Sequence, residues 1–257
     1  KVKAANGSVI LTRQATFALH AVSWRSGIVG LSPDTRGESQ ATIDCSQAIF
    51  ETNFFGWHSL TKEIIPHMKV NGSGRIIQNS SILGFMALKY RGAYTATKYA
   101  IEAMSDTLRL EIKNDNIKVI IIQPGPITTK FRENSYIRFR ESIDWQGSDY
   151  KSLYINKIIP RLESKKIKKT TFELLPNAVS KAVIHACTAR NPRIRYRITW
   201  ATVIMMYLKR FSTDKLFDRI SSKGGIEKIK FLLAEELIIL KIFGKCHKAE
   251  LIRVKIF

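Results

Sequence analysis

The chain has 257 residues, 45% of them hydrophobic, which suits one α/β domain with a substantial buried core. No apolar run reaches the roughly 18 residues of a membrane-spanning helix, so a soluble protein is expected. A formal net charge of +21 makes the surface attractive to polyanions: anionic lipid, phosphorylated cofactors or nucleic acid. Charge alone speaks for nucleic acid, which makes it the weakest of the three. The basic residues are densest over 161–169 and from Arg190 onward. Cys45, Cys187 and Cys246 form no C-x-x-C pair and leave one unpaired, which argues for a reducing compartment, the cytoplasm. The chain opens on Lys1 without a signal-peptide pattern, and a fragment or an incomplete reading frame is the expectation.

In chain order, residues 1–45 show no clear periodicity. Val9-Ile10-Leu11 and Phe17-Ala18-Leu19 are candidate short strands, and Ser32-Pro33-Asp34-Thr35-Arg36-Gly37 has loop chemistry. From Ser46 onward Ile49, Phe50, Asn53, Phe54, Trp57, Leu60 and Ile64 recur at helical spacing, predicting a helix that closes near Pro66 to Lys69. Asn71-Gly72-Ser73-Gly74 predicts a turn, Arg75 to Ser81 a strand, Gly84 to Gly92 a loop, and about Ala93 to Lys113 a second helix. The β-branched run Lys118 to Gln123, stopped by Pro124-Gly125-Pro126, reads as a strand buried on both faces of a parallel sheet. Residues 130–170 are basic and weakly patterned, 176–189 predicts a helix, 198–208 is apolar, and the segment after Gly224-Gly225 reads as a basic amphipathic helix. Such a tail suits the core, a partner or an anionic membrane surface.

Tyr94 and Lys98 carry the chemistry. Four residues apart on a helix they share a face, so the ammonium can stand near the phenol and favour its phenolate. Ser81 and Pro124-Gly125 both fall at carboxyl ends of predicted strands, where open parallel sheets bind ligands. Taken singly, Ser81 reads as a strand-end hydroxyl satisfying a backbone group and Asn53 as an ordinary helix polar residue. His58 and His67 lack carboxylate or cysteine partners at metal spacing, so no metal site is expected, and Phe54, Phe55 and Trp57 read as core packing.

The ordered set is Asn53 in Thr52-Asn53-Phe54-Phe55-Gly56, Ser80-Ser81, Tyr94 with Lys98, and Pro124-Gly125 followed by Thr129. It resembles the classical short-chain dehydrogenase/reductase family, whose motifs N-x-x-G, S-S, Y-x-x-x-K and P-G-x-x-x-T come in that order. The resemblance runs from about Ser46 to Ile220, nearest to bacterial members that look like retinol and 17β-hydroxysteroid dehydrogenases. It implies a Rossmann-type parallel sheet with flanking helices and NAD or NADP as cofactor. It also implies interconversion of an alcohol with a ketone or aldehyde, and frequent homo-oligomers. By position it makes Tyr94 the general acid/base and Ser81 the hydrogen-bond partner of the carbonyl oxygen. Lys98 would bind the nicotinamide ribose, Asn53 would hold a water linking Lys98 to solvent, and Pro124, Gly125, Ile127 and Thr129 would frame the nicotinamide. Leu83, Phe85 and Tyr90 would line an apolar pocket for a small hydrophobic carbonyl or alcohol substrate.

The family's T-G-x-x-x-G-x-G cofactor loop has no counterpart before Asn53; Ser26-Gly27-Ile28-Val29-Gly30 lacks its leading pair. The division expected is therefore 1–45 unassigned, 46–220 the catalytic part of a domain incomplete at its N-terminus, and 221–257 the basic tail. A non-catalytic remnant or basic binding protein that has lost dinucleotide binding stands as the alternative.

Overall fold

The structure is a computed structural model that describes residues 2–3, 9–10, 46–88, 91–129, 136–137, 139–140, 145–147, 150–163 and 172–222. The isoleucine-rich run after Asn116 forms the middle strand of a parallel three-stranded sheet. This strand, β4 (Ile117–Gln123), pairs with β3 (Gly74–Asn79) in the register Gly74↔Ile117 to Asn79↔Ile122, and with β5 (Arg195–Arg197) through Ile121↔Arg195 and Gln123↔Arg197. Near the start of the chain β1 (Val2–Lys3) and β2 (Val9–Ile10) form an antiparallel pair. The candidate strand at Val9 is thus observed, whereas that at Phe17 lies outside the described residues.

Alternate residues of β4 serve opposite layers, as the period of two demands. Ile117 and Val119 pack with Met68, Ile76 and Ile112 beneath helices α1 (46–70) and α2 (Gly92–Glu111). Ile120 and Ile122 pack with Ala186 and Tyr196 beneath the helix Asn177–Thr188. A strand covered on both faces has no use for polar alternation, which is why it reads as an unbroken apolar run. The architecture is Rossmann-type: a parallel sheet with flanking helices.

Helix α1 runs to Val70 with Pro66 inside it, one residue beyond the expected close near Pro66 to Lys69. Its early part, Glu51–Phe55, is wound as a π-helix. Phe55 is exposed, correcting its expected place in the core; it forms an edge contact with Phe54 on the helix surface. The turn after α1 places Gly72 at φ +67, a conformation costly for residues with a Cβ, and Asn116 donates to the Gly72 carbonyl at 3.0 Å.

Three elements escaped the sequence patterns. Helix α3 (151–163) lies in the weakly patterned basic stretch and buries Ile158 and Leu162 against Phe139. It is followed by the expected α4 (Asn177–Thr188). Strand β5 is three residues long and alternates arginine with tyrosine. The apolar stretch after it is helix α5 (Trp200–Phe211), capped by Thr199, and α6 (Asp214–Ser222) follows. The tail from residue 223 onward lies outside the described residues. Among the described residues no helix is long and apolar enough to cross a membrane.

Candidate active site

Backbone pairing extends past the strand ends and fixes the site. Ser80 N donates to Ile122 O at 2.9 Å, Ile82 N to Pro124 O at 2.8 Å, and Ile198 N to Gln123 O at 3.2 Å. These bonds bring Ser81, Pro124-Gly125 and Thr199 to one edge of the sheet, at the carboxyl ends of its three strands. Ser81 is extended and caps the short 3-10 turn Ile82–Gly84, its Oγ accepting from Leu83 N at 3.2 Å. The same hydroxyl is hydrogen-bonded to the Tyr94 side chain, which α2 delivers from its first turn.

Lys98 sits one turn further along α2 and is 1% exposed. Its Nζ donates to the Asn79 main-chain oxygen at 2.8 Å and stands 5.5 Å from the centroid of the Tyr94 ring. Burial pushes the Lys98 ammonium down to about 8, opposed by the Glu102 carboxylate. Tyr94 moves the other way from the expected phenolate. Burial raises its pKa, and the Ser81 hydrogen bond and the Arg91 charge offset this without reversing it. Desolvation of a phenolate outweighs what these neighbours supply, so at neutral pH Tyr94 carries its proton.

Asn53, fully buried in the π-helical turn of α1, donates through Nδ2 to Thr97 Oγ1 at 3.2 Å. Thr97 in turn donates to the Tyr94 carbonyl at 2.7 Å. Asn53 Oδ1 has no hydrogen-bond partner. A buried acceptor left open costs about 1–3 kcal/mol unless something fills it. The structure therefore brings Asn53, Ser81, Tyr94 and Lys98 around one helix turn.

The segment after β4 runs beside 172–175: Ile127 bridges Leu174, Leu174 N donates to Pro126 O, and Thr128 N donates to Leu174 O. Thr129 is exposed at the end of this run. Gly125 is held close to the start of α5, where an added Cβ would collide with Thr199 Oγ1 and lie 2.6 Å from Thr202 Oγ1. Both threonines are buried and within 3.1 Å of each other. Gly125→Ala is expected to cost about 1–3 kcal/mol through overpacking, read as a lowered urea midpoint with unchanged m; an unchanged midpoint would show that the threonines yield freely.

Of the expected pocket residues, Leu83 is 2% exposed and packs in the core with Met86, Met205 and Phe217. Phe85 borders that cluster beside Tyr94, and Tyr90 lies outside the described residues. Sequence reasoning missed Glu102, Asp106 and Arg195, which form a chain of ion pairs behind Lys98. The signal was present: Glu102 and Asp106 continue the four-residue spacing of Tyr94 and Lys98. His58 is exposed against Met104 and Phe54. Among the described residues no three His, Cys, Asp or Glu side chains gather in metal-binding range.

The family profile described as short chain dehydrogenase matches residues 26–138. The chain is 39% identical over 171 residues to the uncharacterized oxidoreductase YbbO of Escherichia coli, covering 66% of this chain and 56% of that protein. Over that span the chain is similar to the short-chain dehydrogenase family. It is also 33% identical over 149 residues to 3-ketodihydrosphingosine reductase of Bacteroides thetaiotaomicron, with 57% of this chain and 52% of that one covered. To human retinol dehydrogenase 8 it is 28% identical over 167 residues, with 65% and 52% covered. The chain thus spans about half the length of these curated relatives. The relatives it matches are named as oxidoreductases, reductases or dehydrogenases.

Proposed function

We propose that this chain is an NAD(P)-dependent oxidoreductase that interconverts a small hydrophobic alcohol with its ketone or aldehyde. The observation that carries this reading is the hydrogen bond between Tyr94 and Ser81 at the strand ends, with the Lys98 ammonium beside the Tyr94 ring.

The residues present fit the ribose end of a dinucleotide. An ammonium has three N–H donors, and the contact to Asn79 O uses one, leaving two for a pair of vicinal hydroxyls. The nicotinamide, when bound, supplies or accepts the hydride. Pro124, Gly125, Ile127 and Thr129, at the adjacent strand end, would hold that ring. Tyr94, protonated at neutral pH, gives its proton to the substrate oxygen as the carbonyl carbon is reduced. Ser81 Oγ, already bonded to the Tyr94 side chain, donates to the same oxygen as negative charge develops there. The open Oδ1 of Asn53 suits a water that restores the proton from the α1 side. The raised pKa of Tyr94 favours the carbonyl-reducing direction near neutrality. Phe85 and the apolar cluster next to Tyr94 suit a hydrophobic substrate, and two relatives, a retinol dehydrogenase and a 3-ketodihydrosphingosine reductase, support that class. A cytoplasmic location and a homo-oligomer belong to the same reading.

Titration of the chain with NADH and NADPH, followed by nucleotide fluorescence, tests it. Saturable binding at micromolar concentration is expected. No binding up to millimolar concentration would overturn the enzyme reading in favour of a non-catalytic remnant.

A further inference from the structure

The face of α2 that presents Tyr94 and Lys98 continues at the same spacing to Glu102 and Asp106. Glu102 is 9% exposed, yet both its oxygens are bonded. Oε1 accepts from Gln123 Nε2 on β4 at 2.9 Å, and Oε2 accepts from Arg195 Nε on β5 at 3.1 Å. Arg195 Nη2 also grips Asp106 through both carboxylate oxygens, at 2.6 and 2.7 Å, and Asp106 accepts from Arg109 at 2.5 Å. Gly84 keeps the space open. A Cβ there would lie 2.9 Å from Glu102 Cγ and 3.0 Å from its Oε1. Along α2, with Arg195 reaching in from β5, charge alternates: Lys98, Glu102, Arg195, Asp106, Arg109.

Burying a carboxylate is expensive, and an apolar side chain of similar volume generally serves stability as well. A charge kept here and held from two strands has a use beyond packing. We propose that Glu102, clamped by Gln123 and Arg195, is a positioning residue for Lys98, its carboxylate standing one helical turn away and keeping that ammonium charged beside Tyr94. The inference rests on the role read above for Tyr94 and Lys98, because an uncharged Lys98 gives up one of its donors and its field at the phenol.

The groups facing the pair come from every packed element. Lys98 meets the Tyr94 ring on its own helix and the Asn79 carbonyl at the end of β3. Glu102 meets Gln123 and Arg195, and Arg91 adds a positive charge that acts on Tyr94. Glu102 is the carboxylate whose field opposes the burial of Lys98. Arg195, one step further, is a cation that Glu102 shields from it.

The test is the titration of Lys98 itself, followed by NMR in the full chain carrying lysine labelled with 13C at Cε, the Lys98 signal being assigned by its loss in Lys98→Arg. In Glu102→Gln the Lys98 midpoint is expected to fall by about one pH unit, a tenfold loss of proton affinity. In Arg195→Met it is expected to rise, because the carboxylate then acts without the competing cation. Glu102→Asp should restore most of the wild-type midpoint. Opposite shifts in the two variants are something a merely structural role does not produce. A Lys98 midpoint that is unchanged, or that moves the same way in both, overturns the inference. If Glu102→Gln does not fold by circular dichroism, the direction seen in Arg195→Met decides. The measurement needs neither nucleotide nor substrate, so a chain that reduces no carbonyl would sink the enzyme reading while leaving this result readable.

Discussion

In Tyr94→Phe, carbonyl reduction is expected to fall by about 10²–10⁴-fold, to the edge of detection, while nucleotide binding and folding persist. The substitution removes one atom, the hydroxyl oxygen, and leaves the ring in place against the cluster of Leu83, Met86 and Met205. Ser81 loses a partner but keeps its cap on Leu83 N, and Lys98 keeps both the Asn79 carbonyl and an aromatic face at 5.5 Å. What disappears is the group that protonates the substrate oxygen. The measurement pairs nucleotide oxidation rates, with a hydrophobic ketone or aldehyde in excess, against the Kd for NADPH in the same preparation. An active wild type whose rate survives in Tyr94→Phe would remove Tyr94 from the mechanism. A rate lost together with nucleotide binding would instead mark a structural collapse, which the retained packing argues against.

Several parts of this site could be read in the sequence because each rests on local spacing. Tyr94 and Lys98 share a helix face by their separation, and Ser81 and Pro124-Gly125 terminate strands whose apolar runs are plain. The carboxylates of the ion-pair chain behind Lys98 follow its helical spacing, but their cation was not legible, because Arg195 is 93 residues from Glu102 on a three-residue strand of two arginines and a tyrosine. Such a strand owes its existence to the bonds that β4 offers, not to its own composition. Helix α3 was hidden for a related reason: its apolar side is short, and the Phe139 that completes it comes from outside the helix. Spacing alone does not give the direction of the Tyr94 pKa. A lysine four residues away favours a phenolate, but burial, which spacing cannot show, raises the pKa further than the neighbours lower it.

Lys98→Met is expected to flatten the dependence of stability on pH as well as to remove carbonyl reduction. The folded chain holds Lys98 at about 8, against 10.5 for an ordinary lysine, so between these values the unfolded chain binds the extra proton and stability rises with pH. The contribution is fully present above the ordinary value and is lost as pH falls through the folded one. Between about pH 7 and about pH 9.5 the gain is on the order of 2 kcal/mol. Tyr94 works in the opposite sense. Its pKa is raised on folding, so its contribution is present at low pH and is lost as pH climbs above 10, which places it beyond this window. Methionine fills the aliphatic volume of Lys98 without a charge and leaves the Asn79 carbonyl without its donor, a cost that is the same at both ends of the range. The absolute stability of the variant therefore mixes two effects, whereas the slope isolates the buried ammonium. Urea midpoints at the two pH values, in wild type and variant, give that slope. A wild-type rise that persists undiminished in Lys98→Met would assign the pH dependence to another group. It would also remove the argument that Lys98 is held in the site as a desolvated cation.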